Sequence, residues 1–312
     1  MKTSVLLFLT IIICSCGEAN SDYVGYDYDN FRETPAWELA QAVDDGDTLA
    51  IDKILKEDRT LIDYQDPYHK MTMLMMTIYN QRRATFPYSL ICDNKYSGLW
   101  IDKSQWQSFC YLLKQGASTE IADENGSTPL MLACNGSEND IRFAEMLIEY
   151  GADVNAICPE VSMCDEGCST ALMAAAWNFN GYEFVKLLVE HGADVNYMDK
   201  FHNSALRKSM HNDKYDVALY LLKHGADYNV PISRICYHGP GISYDSTYLN
   251  LVEELRYDVF PLDSKEYKAK MRIVDFLKKK GVDYRSYPIP EYITKSAKKD
   301  YPNSWKEYLE KY

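Results

Sequence analysis

The segments LLKQGASTE, LIEYGADVN, LLVEHGADVN, LLKHGADYN and FLKKKGVDYR recur along this chain, each carrying an apolar run into a glycine: Gly116, Gly151, Gly192, Gly225 and Gly281. Such a recurrence constrains the fold more than any single motif, because each unit must bury its apolar face against a copy of itself. The glycines fall where the last turn of a helix favours a left-handed residue. A second marker precedes each one: MTMLMMTI from Met71, STPLMLAC from Ser127, STALMAAA from Ser169, NSALRKSM from Asn203 and STYLNLVE from Ser246. Every marker holds a Ser or Thr, as helix N-termini prefer, followed by small and apolar residues at helical spacing. Each unit is therefore predicted to be a pair of helices, opened by the marker and closed by the glycine.

This alternation resembles the ankyrin repeat, a β-turn followed by two antiparallel helices, with T-P-L-H-x-A opening the first and GADVN closing the second. Ser127-Thr128-Pro129-Leu130 and Gly192-Ala193-Asp194-Val195-Asn196 are close matches. The resemblance implies an all-α repeat solenoid with β-hairpin fingers, whose task is to hold a protein partner on its concave face. The Ser or Thr markers fall at 72, 128, 170, 204 and 247, at intervals of 56, 42, 34 and 43 residues. Against a family period of about 33, the excess reads as insertions. A degenerate earlier unit, TPAWELAQAVDDGDTLAIDKIL, starts at Thr34, which gives six repeats over 34–288 and leaves 289–312 for a polar capping helix. Where the family motif has His, this chain has Met75, Met131, Met173, Arg207 and Asn250, so adaptable methionine packing is expected to replace a polar bridge in three units.

Counting between markers places the insertions. Thr72 to Gly116 spans 44 residues and Thr247 to Gly281 spans 34, whereas the other units take 21 to 23. Enlarged turns between helices are thus predicted at 84–100 and 256–267. From the Asn of one closing motif to the next marker, the short case is eight residues, Asn196 to Ser204; Asn155 to Thr170 is fifteen and Asn229 to Thr247 is eighteen. Two adjacent fingers are therefore lengthened, by AICPEVSMCDEG and by VPISRICYHGPGIS. In ankyrin arrays fingers project towards the binding face, and loops on a rigid scaffold often carry function. By matching motif positions, the resemblance also implies contacts at Met76, Leu132, Ala174, Lys208 and Leu251 on the first helices. Trp177, Tyr197 and Phe201 are candidate aromatic anchors, with inter-repeat packing as the alternative.

The formal charge of -13 argues against a phosphate-backbone binder, which needs a basic face, so no nucleic acid is expected. The first residues, MKTSVLLFLTIIICSCGEAN, combine Lys2 with an apolar run from Val5 to Cys14, a secretory signal too short to span a bilayer. Ile13-Cys14-Ser15-Cys16 resembles the bacterial lipobox, which implies cleavage after residue 15 and lipidation of Cys16, with an ordinary signal peptide as the other reading. Residues 16–33 are polar, acidic and tyrosine-rich without periodicity, which suits a flexible tether from a lipid to the domain. The expectation is a monomeric protein in a bacterial envelope, touching membrane only through that lipid.

The finger CPEVSMCDEGC places Cys158, Cys164 and Cys168 at C-x5-C-x3-C spacing. Structural zinc usually shows paired C-x2-4-C units with four ligands, so the set is incomplete for a metal. A disulfide between Cys158 and Cys168 on opposite arms of the hairpin, or free thiols, are the other readings. His191 and His224 precede helix-closing glycines, where a cation suits the helix dipole, and His202 is placed in a turn. The chain has no G-x-S-x-G, H-E-x-x-H, G-x-x-x-x-G-K or G-x-G-x-x-G, so a non-catalytic, cofactor-free scaffold is expected. The alternative is a thiol- or metal-dependent envelope protein built on the cysteine finger.

Overall fold

The computed structural model describes residues 27–80, 103–136, 140–158, 169–211, 213–236, 246–257 and 260–312, without the side chains of 233–236 and 246–248. The signal peptide, Cys16, most of the tether, the insertion at 84–100, Cys164, Cys168 and the tip of the second long finger lie outside the described residues. Within them the helices come in antiparallel pairs: α1 (Trp37–Asp45) with α2 (Thr48–Glu57), α3 (Met73–Tyr79) with α4 (Lys103–Lys114), and α5 (Pro129–Asn135) with α6 (Ile141–Glu149). There follow α7 (Ala171–Trp177) with α8 (Tyr182–Glu190) and α9 (Ala205–His211) with α10 (Tyr215–Lys223), then α11 (Leu251–Tyr257) and α12 (Lys265–Lys279). The first helices form one layer, α1 through α9 each touching the next, and α6, α8, α10 and α12 succeed one another in a second. Among the described residues β structure is confined to the fingers, where β1 (Ser233–Cys236) pairs antiparallel with β2 (Ser246–Leu249) and Met198 bridges Ser204.

All but the last of the markers act as predicted. Thr72, Thr128 and Thr170 each cap a helix, accepting from the amides of Met75, Met131 and Met173 at 3.3, 3.4 and 3.2 Å. Those methionines are buried, as expected of the residues that stand in for the family's His. The closing glycines all adopt left-handed φ, from 84° at Gly116 to 95° at Gly225, a region that costs an L side chain about 1 kcal/mol or more. Apolar side chains from α1 to α12 join in one continuous core, so each helix pair is stabilised chiefly by its neighbours.

A second system of contacts follows from the closing motif itself. The Asn155 carboxamide donates to Gly192 O at 3.1 Å and accepts from the Asp194 amide at 2.8 Å. Asn196 repeats this one unit later, with Gly225 O at 3.0 Å and the Asp227 amide at 2.8 Å. Glu120, in the same place of the preceding unit, accepts from the Asp153 amide at 3.0 Å, and Asp63 accepts from Ser118. One side chain per unit therefore stitches the second-helix ends into a ladder. Between successive units, Asn178 donates to Cys134 O and Gly136 O, and the buried Lys214 ammonium donates to the carbonyls of Ala176, Trp177 and Asn178. Each supplies donors to the orphan carbonyls at the end of the preceding unit's first helix.

Three expectations need correction. The tether does not reach residue 33: Tyr28–Phe31 forms a 3-10 turn whose Tyr28 and Phe31 are buried against α1, with Tyr28 Oη donating to Gln105 at 2.6 Å. The last unit does not open at Thr247, because Ser246–Leu249 is the strand β2. Asn250 caps α11 instead, accepting from Val252 and Glu253 amides while the Glu253 carboxylate accepts from the Asn250 amide, a reciprocal box. The enlarged turn of this unit is also shorter than 256–267, since α11 runs to Tyr257 and α12 already begins at Lys265.

The tail is two helices, α13 (Glu291–Asp300) and α14 (Trp305–Lys311), rather than one. Ile293, Ala297, Tyr308 and Tyr312 form a small core of their own. Tyrosine hydroxyls join it to the array: Tyr312 donates to Arg256 O, Tyr308 to Phe260 O and Tyr292 to Tyr257 O, while Tyr267 of α12 donates to Lys311 O. A buried cation lies between the two bodies, Lys270 Nζ 3.9 Å from the Tyr312 ring centre, and a second, the Arg256 guanidinium, sits within the array 3.9 Å from the Tyr284 ring centre.

Candidate functional site

Three fingers are built around an aspartate. Asp66 is fully buried and accepts from the amides of Tyr68, His69 and Met71. Asp123 takes Asn125 and Ser127, and Asp199 takes Phe201 and Asn203. The turns so held need a left-handed residue, which is Gly126 in one, but Lys70 (φ 57°) and His202 (φ 61°) in the others. The fingers are also joined sideways: His69 Nδ1 lies 2.7 Å from Glu124 Oε1, Cys158 Sγ contacts Asn125 O at 2.9 Å, and Ser169 Oγ contacts Asp199 at 3.3 Å. The result is a fixed row of tips. Phe201 stands on it, 41% exposed with Lys200 Nζ 5.1 Å from its ring, and Tyr197 is half-buried at the same finger.

The first-helix layer departs from the predicted contact set. Met76, Ala174, Lys208 and Leu251 are all buried, and only Leu132 is partly accessible. The physical reason is local. The middle of each short first helix is flanked by both neighbouring first helices, and Leu251, counted from a marker that proved to be strand, is the first residue of α11. The accessible position is one turn further on. Counted from the capping residue as zero, the seventh residue is Tyr79 in α3, Asn135 in α5, Trp177 in α7, His211 in α9 and Tyr257 in α11. Tyr79 is 54% exposed, and Trp177, half-buried, stacks on His211 at 5.3 Å with Lys208 Nζ 5.0 Å from its ring. Beyond it, Phe179 is 86% exposed. Four aromatic rings at one repeat position were a signal open to sequence reading once the caps were fixed.

The described cysteine chemistry is that of thiols in apolar surroundings. Burial pushes Cys110, Cys134 and Cys158 up from the ordinary thiol value, and the Asp123 carboxylate adds to the effect at Cys158. Asp123 is itself raised by burial, against the lowering from its backbone donors. A thiol so placed is protonated at neutral pH, which suits a hydrogen-bond donor better than a nucleophile. At the base of the cysteine finger the Cys158 amide donates to Ser169 O at 2.9 Å, so the two arms meet there. The proposed partner of Cys158, Cys168, lies outside the described residues, as does Cys164. Among the described residues no group of three His, Cys, Asp or Glu is placed to hold a metal ion. His191 and His224 bond their own helix carbonyls, Leu187 O and Tyr220 O, each at 2.8 Å, in keeping with a helix-end role.

A family model of ankyrin repeats (3 copies) matches residues 100–199 and, overlapping them, 159–232. No curated protein matched the sequence. Ankyrin repeats are generally protein–protein interaction scaffolds and typically non-catalytic. The matched stretch holds α4 to α10, the turns held by Asp123 and Asp199 and the ladder from Glu120 to Asp227, and further helices of the same kind flank it on both sides. The chain folds as an ankyrin-repeat solenoid.

Proposed function

We propose that this chain is an exported, lipid-anchored and non-catalytic scaffold of a bacterial envelope, which as a monomer holds a protein partner. The partner lies along the exposed side of the first-helix layer and against the long fingers. One observation carries the reading: a single repeat position leaves Tyr79 and His211 exposed and Trp177 and Tyr257 half-buried, while neighbouring fingers are fixed to one another by side-chain bonds. Aromatic groups on a pre-organised frame lose little entropy on binding. The lipid reading rests on Ile13-Cys14-Ser15-Cys16 alone. No described helix is long and apolar enough to cross a membrane.

Two experiments test this. Labelling with a palmitate analogue should mark the wild-type chain and not Cys16→Ser, which should leave the membrane fraction; equal labelling of both overturns the anchor. A pull-down from envelope extract should recover a partner that is lost on Tyr79→Ala/Phe179→Ala or on removal of residues 159–168. Retention of every partner by both variants overturns the binding face.

A further inference from the structure

Resting on the exported, lipid-anchored reading above, we infer that α12 makes a second membrane contact, through a basic stripe that lies on an anionic phospholipid surface. The net charge of -13 hides a division within the chain. Residues 264–312 hold thirteen Lys and Arg against seven Asp and Glu, a net +6, which leaves -19 on the rest. An asymmetry of this kind marks one end of an acidic protein for a polyanion. Within that end the cations of α12 are aligned. Lys265, Lys268, Arg272 and Lys279 stand at i, i+3, i+7 and i+14, on one narrow face of the helix, and all four are exposed. Asp275 and the half-buried Phe276 lie at its margins. The buried Lys270, Ile273, Val274 and Leu277 hold the opposite side, against the core.

This charge is available and is not explained by the helix itself. Among the described residues none of the four side chains makes a hydrogen bond, an ion pair or a ring contact. Cations suit a helix C-terminus, which accounts for Lys278 and Lys279, but Lys265 and Lys268 stand at the other end, where the dipole disfavours them. The corresponding helices of earlier units carry the opposite sign: α6 sets Arg142 against Glu145 and Glu149, and α8 sets Lys186 against Glu183 and Glu190. Shape selects a bilayer as the occupant. The stripe is about 21 Å long at 1.5 Å per residue, and α12 has no exposed large apolar side chain. A protein partner draws its affinity from a buried apolar centre, whereas mobile headgroups can gather under a line of point charges. Each cation near such a surface contributes about fivefold to binding. The carboxylates of the other units are repelled by the same surface, so contact is confined to this end. Because the stripe lies on the outer side of the second-helix layer, docking leaves the first-helix layer open to a partner.

Vesicle flotation tests the inference on the mature chain, residues 16–312, carrying Cys16→Ser so that no lipid holds it. The chain should float with phosphatidylcholine vesicles containing a third of phosphatidylglycerol and not with phosphatidylcholine alone, and added salt should release it. Lys265→Gln/Lys268→Gln/Arg272→Gln/Lys279→Gln should weaken this binding at least about tenfold. Lys53→Gln/Lys103→Gln/Lys114→Gln/Lys223→Gln removes the same charge from exposed sites on other helices and should weaken it less than about twofold, with circular dichroism unchanged in both variants. Equal flotation with neutral vesicles, no flotation with anionic ones, or the same loss in the two variants overturns the inference. The palmitate label reads the anchor separately, so either result can fail while the other stands.

Discussion

The central units and the C-terminal end solve the same packing problem with different chemistry. From Glu120 to Asp227, one carboxamide or carboxylate per unit reaches the backbone of the next, in nearly identical geometry at each step. Beyond α12 the array has no further copy to reach. There it ends on a small separate core, joined through four tyrosine hydroxyls and one cation, Lys270, buried against the Tyr312 ring. The difference teaches that the recurring motif stabilises only where a neighbour repeats it, and that a terminus must find its own donors. It also predicts two kinds of failure, one graded along the array and one confined to the end.

The end should be the more fragile. Tyr312 is 1% exposed and covers Lys270, so Tyr312→Ala should cost roughly 3 to 5 kcal/mol in that unit. Hydrogen exchange should then rise over α11 to α14 while α5 to α8 keep their protection; a uniform rise would show that the two regions unfold as one. In the ladder, Asn196→Ala removes bonds to Gly225 O and the Asp227 amide and should cost about 1 to 2 kcal/mol by urea unfolding. Asn155→Ala should cost a similar amount, the sameness being the signature of a repeated device. Thr170→Ala, which removes one cap, should cost about 1 kcal/mol.

Alkaline titration sharpens the contrast further. Burial pushes the Tyr308 hydroxyl from an ordinary value of 10 up to about 12. The folded state thus keeps a proton that the unfolded chain releases, so the contribution is intact below pH 10 and is lost as pH rises towards 12. Tyr308→Phe should flatten this part of the stability profile. An unchanged profile would assign the alkaline loss elsewhere. The smallest expected effect belongs to the fingers: His202→Gly relieves a left-handed side chain and should raise stability by up to about 1 kcal/mol, read as a higher midpoint in urea.

Much of the fold was legible because the repeat reports itself several times over. Thr72, Thr128 and Thr170 and the glycines at 116, 151, 192, 225 and 281 are read from local backbone needs, which sequence states directly. The last unit was misread because its finger carries Ser246 and Thr247 on a strand, and the decisive Asn250…Glu253 box was hidden behind that more familiar marker. Tyr28 and Phe31 sit among acidic residues, and only their burial against α1 distinguishes them from a tether. The accessible positions lie one turn beyond the predicted contacts, since exposure depends on how closely neighbouring helices flank a residue, a tertiary quantity that motif matching does not contain. That the tail forms two helices follows from Tyr308 and Tyr312 packing on Ile293 and Ala297, again a contact between segments.

One bond at the foot of the cysteine finger has a practical meaning. The Cys158 amide and the Ser169 carbonyl meet at 2.9 Å, and helix α7 begins at Ala171 with its cap Thr170 in place. Whatever is spliced between 158 and 169 enters and leaves through the same narrow gate, so the helices behind it need not register its length. Closure entropy grows only slowly with loop size, by about 0.6 kcal/mol for each doubling. The gate is therefore a natural graft point, where foreign epitopes or affinity tags could be displayed.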